Sequence, residues 1–302
     1  MEKRVSIMEI ERFAIHDGPG IRTVVFLQGC PLRCSWCSNP ESQKIGPHLL
    51  HLKNKCTGCG TCAETSIHGN IKMDGGYPIF DRKKCVTSKA CAEACVYNAI
   101  KFVGEFVSVS EIMQVVLRDR DYYENSGGGV TFSGGEPFVQ FDGLMELLTM
   151  CKKENLHTAI ETCGQTDLEK VKKVLPLTDL FLFDIKHTDK HMLEKETKGD
   201  LDTILTNMRF IAGLDPTKII IRTPVIPGYN FDKKTISEIF NLAKENNIRQ
   251  VSLLPYHTLG MDKYEQLGIK YTYPYQNMLS KEDLLPFKQL GEKIGLKIQI
   301  GG

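Results

Sequence analysis

Three closely spaced cysteines set the chemical question. The run Gly29-Cys30-Pro31-Leu32-Arg33-Cys34-Ser35-Trp36-Cys37-Ser38 has the spacing C-x3-C-x2-C and directly follows a strand-like run at 23–27. Thiolates in one tight loop can ligate three irons of a [4Fe–4S] cubane and leave the fourth iron without a protein ligand. An open coordination position on a catalytic metal accepts a substrate, and S-adenosylmethionine offers an amino group and a carboxylate to chelate it. Trp36, inside the last pair, can cover the cluster and approach the adenine. A zinc site would instead pair C-x2-C knuckles with a distant second pair, which fits this compact run poorly.

A second group of cysteines follows. Cys56-x2-Cys59-x2-Cys62 starts a bacterial ferredoxin run, but its fourth position is Ser66. The next run has Cys85, then Ser88 where a cysteine belongs, then Cys91 and Cys95, with Val96 in place of the usual proline. In two-cluster ferredoxins the fourth cysteine of each run ligates the other run's cluster. One set is then complete: Cys56, Cys59, Cys62 and Cys95. Both missing ligands fall in the other set, which keeps only Cys85 and Cys91. The expectation is one auxiliary [4Fe–4S] cluster and a degenerate second site that is free, labile or empty. A zinc-ribbon-like element is the competing reading of these cysteines.

The surrounding chain must position these groups. Its 302 residues suit one large domain or two smaller ones. Hydrophobic content of 41% is enough for a sizeable core, and 38 basic against 37 acidic residues gives a net charge of +1. That balance argues against nucleic acid or anionic lipid as a partner. The start of the chain has no apolar signal-type segment, and no run approaches the ~18 apolar residues of a membrane span. The expectation is a cytoplasmic, monomeric protein. Nine of eleven cysteines lie between Cys30 and Cys95, which in that compartment means metal ligation rather than disulfides. Cys151 and Cys163 lie apart and read as structural core thiols.

Strand-like runs recur at 23–27, 130–132, 158–160, 180–183, 219–221 and 251–254, with a last one at 296–300. Amphipathic patterns lie at 109–123, 138–155, 167–175, 201–212, 234–246 and 281–294. Ser108 and Ser110 precede the first, and Ser280 with Asp283 forms a capping-box pattern at the last. Such alternation predicts an α/β fold: an open, partial parallel β/α barrel of about six units, with its chemistry at the strand C-termini. Residues 51–103, rich in Cys and Gly, interrupt the alternation. They read as a small inserted ferredoxin-like module, leaving 1–50 and 104–302 as the core.

Three motifs fall at predicted strand ends: Ser133-Gly134-Gly135-Glu136-Pro137, Asp184-Ile185-Lys186, and Leu253-Leu254-Pro255-Tyr256-His257. Glycines there allow close backbone approach, and Glu136 can help hold an ammonium. Glu161-Thr162 ends another strand, where a carboxylate could position a cation or be structural. With His16-Asp17-Gly18-Pro19-Gly20-Ile21-Arg22-Thr23 and Trp36-Cys37-Ser38-Asn39-Pro40-Glu41-Ser42, these motifs resemble the glycyl-radical-enzyme activating enzymes of the radical SAM superfamily. The resemblance covers nearly the whole chain. It implies that Cys30, Cys34 and Cys37 hold the catalytic cluster. It also implies that Trp36, Ser38, Gly134, Gly135, Glu136, Asp184, Ile185, Lys186 and His257 contact S-adenosylmethionine. The implied reaction is hydrogen abstraction from a backbone glycine of a partner, as in the formate C-acetyltransferase-activating type, with flavodoxin or ferredoxin as electron donor. The insert leans the partner toward decarboxylase, glycerol or diol dehydratase, or choline-lyase types, and a peptide groove is expected near the strand C-termini.

Two other readings are weighed. A radical SAM enzyme acting on a small molecule or a ribosomal peptide would share the cluster motif and the barrel. An iron–sulfur electron-transfer protein would suit residues 51–103, but a pure relay gains nothing from an open iron.

Overall fold

The computed structural model describes residues 2–85, 89–275 and 277–301. The chain opens with β1 (Arg4–Ala14) and β2 (Arg22–Leu27). The next stretch holds β3 (His48–His51), α1 (Thr61–Glu64), β4 (Ile71–Asp74), β5 (Tyr77–Phe80), α2 (Ala90–Glu93) and β6 (Ile100–Val103). Then come β7 (Glu105–Ser108), α3 (Val109–Leu117), α4 (Arg120–Ser126), β8 (Gly129–Gly134), α5 (Phe141–Lys153) and β9 (Thr158–Thr162). They are followed by α6 (Leu168–Val174), β10 (Leu180–Asp184), α7 (Lys190–Thr197), α8 (Leu201–Leu214) and β11 (Ile219–Val225). The last elements are α9 (Lys233–Glu245), β12 (Gln250–Pro255), α10 (Met261–Leu267), α11 (Lys281–Lys293) and β13 (Lys297–Ile300).

Nine strands form one open sheet in the order β13-β12-β11-β10-β9-β8-β2-β1-β7. From β2 to β13 every neighbouring pair is parallel, while β1 runs antiparallel to both β2 and β7. This is the expected partial barrel, extended by an antiparallel edge that the sequence pattern had not suggested. Strands covered on both sides read as unbroken apolar runs. Leu180, Phe181, Leu182 and Phe183 are all buried, and Phe181 and Phe183 join Phe132, Ile160 and Ile221 in the main core. The outer helices close that core with Leu144, Leu147 and Leu148 from α5, Ile211 from α8, and Ile239 and Phe240 from α9. Each fully buried side chain of this size contributes roughly 1.5–3 kcal/mol.

The parallel register brings the strand C-termini to one rim: Leu27 lies opposite Gly134, Phe183 opposite Thr162, and Asp184 opposite Arg222. The helix predicted at 109–123 is broken into α3 and α4. The break has a cause at Asp119, which is wholly buried, accepts hydrogen bonds from Arg12 and Thr23, and is thereby pulled toward β2. Capping boxes start α3 at Ser108 with Glu111 and α11 at Ser280 with Asp283. Pro137 opens a short 3-10 turn ahead of α5, so the helix expected from 138 begins at Phe141.

Residues 48–103 stand outside the large sheet. β3 and β6 pair antiparallel, with His51 opposite Ile100, and so bring the two ends of the segment together. β4 and β5 form a hairpin whose turn residues, Gly75 and Gly76, both have positive φ, the conformation a tight hairpin demands. α1 and α2 have nearly the same sequence, Thr-Cys-Ala-Glu and Ala-Cys-Ala-Glu, and Cys62 and Cys91 point into a small core with Leu49, Ile71 and Ile100.

Candidate active site

The site begins where β2 ends. A Cβ on Gly134 would lie 2.2 Å from the Leu27 carbonyl oxygen, and one on Gly135 would lie 2.3 Å from that of Gly29. With no side chains there, Gly135 N donates to Leu27 O (2.8 Å) and Glu136 N to Gly29 O (2.7 Å). The glycine motif after β8 thus clamps the base of the cysteine loop.

Above it lies a cavity of about 360 Å³. Cys30, Cys34, Trp36, Cys37, Ser38, Gly134, Gly135, Asp184, Lys186 and His257 all line it, together with Glu161, Thr162 and Cys163. Glu136 and Ile185 do not. Glu136 is 0% exposed, and its carboxylate accepts from Thr162 Oγ1, Cys163 N and Cys163 Sγ at 2.8–2.9 Å. It ties the loops after β8 and β9 together from behind the wall. Ile185 is a core side chain. Asp17 and Arg222 also line the cavity, and sequence reasoning had not singled out Arg222. A signal was present: an arginine inside the β-branched run Ile219-Ile220-Ile221-Arg222-Thr223 is a charge in a buried parallel strand.

The walls carry paired charges with spare capacity. Lys186 Nζ donates to Asp184 Oδ2 at 2.5 Å. Burial opposes the lysine's charge, but Asp184 and the neighbouring Cys34 hold its pKa above the ordinary value. Arg222 Nη1 lies 3.2 Å from Glu161 and 3.7 Å from Asp17, and Ser133 donates to Glu161. Burial raises the Glu161 pKa despite Arg222. Asp184 Oδ1 and Arg222 Nε and Nη1 are buried without an aligned hydrogen-bond partner, an expensive state that a ligand bearing both charges relieves. The thiols are unusual too. Burial pushes Cys30 and Cys34 up to about 12 and raises Cys37. A bound metal would draw the protons off outright. Among the described residues no three Cys, His, Asp or Glu side chains converge as on a single ion. A cubane places each thiolate on a different iron, so three thiols spread around an open cavity, beside unpaired polar atoms, fit the cluster and its substrate.

A short helix fixes the loop from outside. Tyr264 on α10 donates to Cys37 O at 2.9 Å, and Lys263 donates to Asn39 Oδ1 at 2.8 Å and also bonds Glu41. Gly260, just before α10, sits so close to Ser38 that a Cβ would lie 2.5 Å from its carbonyl oxygen. The far side of α10 holds residues 48–103: Arg82 donates to Gln266 O (2.8 Å) and to Leu49 O, and Lys53 pairs with Glu265 at 2.8 Å. Trp36 is buried against Tyr229, with ring centroids 4.4 Å apart.

Within that segment Cys56, Cys59, Cys62 and Cys95 surround one hollow of about 20 Å³, shared with Gly58, Pro78 and Tyr97. Ala99 N donates to Cys95 Sγ at 3.3 Å, and hydrogen bonding from Thr61 lowers the Cys59 pKa. Cys85 and Cys91 are not on this hollow. The Ser66 hydroxyl is engaged with Asn70, and Ser88 lies outside the described residues. Cys151 and Cys163 are buried, Cys151 beside Met113 and Cys163 against Glu136. A second large cavity, about 520 Å³, opens at the N-terminal ends of the strands rather than at the predicted C-terminal groove, and reaches Arg222. No helix among the described residues is long and apolar enough to cross a membrane.

Comparison with known proteins agrees with this geometry. The Radical SAM superfamily model matches residues 85–252. The chain is 40% identical over 299 residues to the trans-4-hydroxy-L-proline dehydratase activating enzyme of Clostridioides difficile, covering 98% of this chain and 99% of that one. It is 41% identical over 273 residues to the (2S)-3-sulfopropanediol dehydratase activating enzyme of Klebsiella oxytoca, covering 88% and 86%. A radical SAM methyltransferase from Sphaerobacter thermophilus shares the fold, with a TM-score of 0.54 at 13% identity, over 92% of this chain and 66% of that one. Motifs, rim geometry and full-length relatives converge, and the chain belongs to the glycyl-radical-enzyme activating enzymes of the radical SAM superfamily.

Proposed function

We propose that this chain installs a glycyl radical on a partner enzyme, consuming S-adenosylmethionine and one electron. The observation that carries the reading is the rim cavity, where three thiols of one loop face Asp184, Lys186, Glu161 and Arg222. Cys30, Cys34 and Cys37 would hold the [4Fe–4S] cluster. When bound, the cluster supplies the electron that splits S-adenosylmethionine into methionine and a 5′-deoxyadenosyl radical, which takes one hydrogen atom from a partner glycine and leaves as 5′-deoxyadenosine. The protein's part is orientation. Among the described residues Asp184 Oδ1 has no hydrogen-bond partner and can accept from an ammonium, and Arg222, ion-paired with Glu161, keeps an Nε–H without a hydrogen-bond partner for a carboxylate. Lys186 donates to the other oxygen of Asp184 and fixes its orientation. The loop glycines open backbone to the ligand, Trp36 walls one side with Ser38, and His257 stands at the rim. Ile226, Leu254 and Pro255 keep that wall apolar, which strengthens every charge inside.

The finer assignments belong to the same reading. Residues 1–50 and 104–302 are the radical SAM core, and 51–103 are a ferredoxin-like insert. Cys56, Cys59, Cys62 and Cys95 hold one auxiliary [4Fe–4S] cluster, supported by their shared hollow. Cys85 and Cys91 form a degenerate second site, free, empty or holding a labile cluster with serine ligands. The partner is a glycyl radical enzyme of the dehydratase, decarboxylase or lyase kind, as the names of the relatives suggest. Flavodoxin or ferredoxin is the donor, and the protein is a cytoplasmic monomer.

Anaerobic electron paramagnetic resonance tests the core of this. Reduced protein, S-adenosylmethionine and a glycyl radical enzyme encoded beside it should give a carbon-centred doublet that Cys34→Ala abolishes. Formation of 5′-deoxyadenosine without a doublet from any such enzyme would move the reading to a small substrate.

A further inference from the structure

We propose that the face of residues 51–103 bearing Met73, Val96 and Tyr97 is the docking surface for a small acidic electron-carrier protein. The inference rests on the proposed function only in that an electron must enter from outside. Large apolar side chains that stay exposed in one region mark an interaction surface. Val96 is 81% exposed, Ile67 69%, Ile79 56%, Tyr77 53% and Tyr97 50%, all within this segment.

Two of them, Val96 and Tyr97, sit with Met73 around the cysteine hollow. Tyr97 lines the cysteine hollow with Cys59 and Cys95, and Val96 is its chain neighbour. A Cβ on Gly58 would lie 2.1 Å from the Gly76 carbonyl oxygen, so the tip of the β4–β5 hairpin rests on the Cys56–Cys59 loop. Met73 of the same hairpin reaches to within 3.9 Å of a Cβ built on Gly60. Cys59 itself is exposed, so the hollow reaches the surface here. The segment's polar ties to the barrel run elsewhere, through Lys53 and Arg82 to α10. That leaves this face unpartnered among the described residues.

Charge selects the occupant. Residues 51–103 hold eight lysines and arginines against four aspartates and glutamates, a net charge of +4, which leaves the rest of the chain at −3. Lys72, Lys83, Lys89 and Lys101 make no ion pair among the described residues. A second copy of this chain would bring another +4 surface against the first and be repelled. An acidic carrier is attracted, and charge complementarity of this kind raises the rate of encounter and makes binding sensitive to salt. Exposed apolar side chains on a segment of net positive charge suit such a transient interface.

The test uses the intact, cluster-loaded enzyme and an acidic two-cluster ferredoxin as probe, by anaerobic calorimetry. Wild-type enzyme should bind it, with Kd rising roughly tenfold between 50 and 200 mM salt. Val96→Glu and, separately, Lys83→Glu should each weaken binding about tenfold or more. Both should leave dithionite-driven 5′-deoxyadenosine formation unchanged. No measurable binding, or variants that bind as tightly as wild type, overturns the proposal. So does salt-sensitive self-association lost in Val96→Glu, which would name a second copy as the occupant. Loss of dithionite-driven 5′-deoxyadenosine formation in wild type would strike the proposed function instead, and the ferredoxin titration would still be readable.

Discussion

The two cysteine sites differ in almost every respect that matters for chemistry. At the barrel rim three thiols border about 360 Å³ of space, and charged side chains with unused hydrogen-bonding capacity face them. In residues 51–103 four cysteines close around about 20 Å³, and among the described residues no acidic or basic side chain shares the wall. The first arrangement has room and charge for a substrate beside an iron with one position free. The second gathers four thiols, the number that fully ligates a cubane, and has no room for a substrate beside them. A missing ligand beside a polar cavity suits substrate chemistry, and a full set of thiols in a closed hollow does not.

The sharpest contrast comes from single ligand losses. Cys34→Ala should abolish 5′-deoxyadenosine formation, a loss of at least about a thousandfold given what cofactor chemistry supplies. Cys62→Ser should instead leave dithionite-driven turnover largely intact while anaerobic iron content falls from about eight to about four per chain. A wild-type count near twelve would break the comparison, because Cys85 and Cys91 would then hold a cluster with other ligands.

Next in size is Arg222→Met. It leaves Glu161 and Asp17 without their shared cation, and stripping one partner from a buried pair costs about 3–5 kcal/mol. S-adenosylmethionine affinity should fall at least tenfold by isothermal titration, and Tm should drop. Iron content should not change, because the arginine is not one of the proposed cluster ligands.

Alkylation of the metal-free protein compares the thiols directly. Free cysteines ionise near pH 8.5. Hydrogen bonding from Thr61 lowers Cys59, so it is more ionised at pH 9 than a free thiol, whereas burial holds Cys30 up at about 12 and keeps it protonated there. Mass spectrometry after a brief iodoacetamide pulse at pH 9 should find Cys59 labelled well before Cys30. Equal labelling would mean that the rim site opens when metal is absent.

The smallest effect is expected at Tyr264→Phe, which deletes one hydrogen bond to the Cys37 carbonyl, about 1 kcal/mol. A several-fold rise in KM for S-adenosylmethionine with little change in kcat would mark the helix as a positioning device.

What the sequence made legible, it did through spacing. Cysteine intervals, and apolar runs ending in Gly-Gly-Glu or Asp-Ile-Lys, survive translation into structure because a parallel register sets all strand C-termini on one rim. The grouping of Cys95 with Cys56, Cys59 and Cys62 follows from spacing in the same way. Contacts between distant segments left no such trace. Nothing local says that Tyr264 will meet Cys37, or that Asp119 will be drawn inward by Arg12 and split a helix. Glu136 misled for a related reason: its motif lies at the rim, yet its side chain turns back to hold Cys163. β1 leaves little trace because Glu11, Arg12 and Phe13 of its outer half are all exposed, which breaks the alternation of a half-buried strand.

The pairing of His51 with Ile100 has a consequence for how such a protein can change over time. Chain enters and leaves residues 52–99 through adjacent strands, so a tight turn could join those ends without rethreading any strand of the barrel. Deleting or exchanging the segment is a short genetic edit at a hinge already closed. The order and register of the barrel strands that build the rim cavity would survive such an exchange.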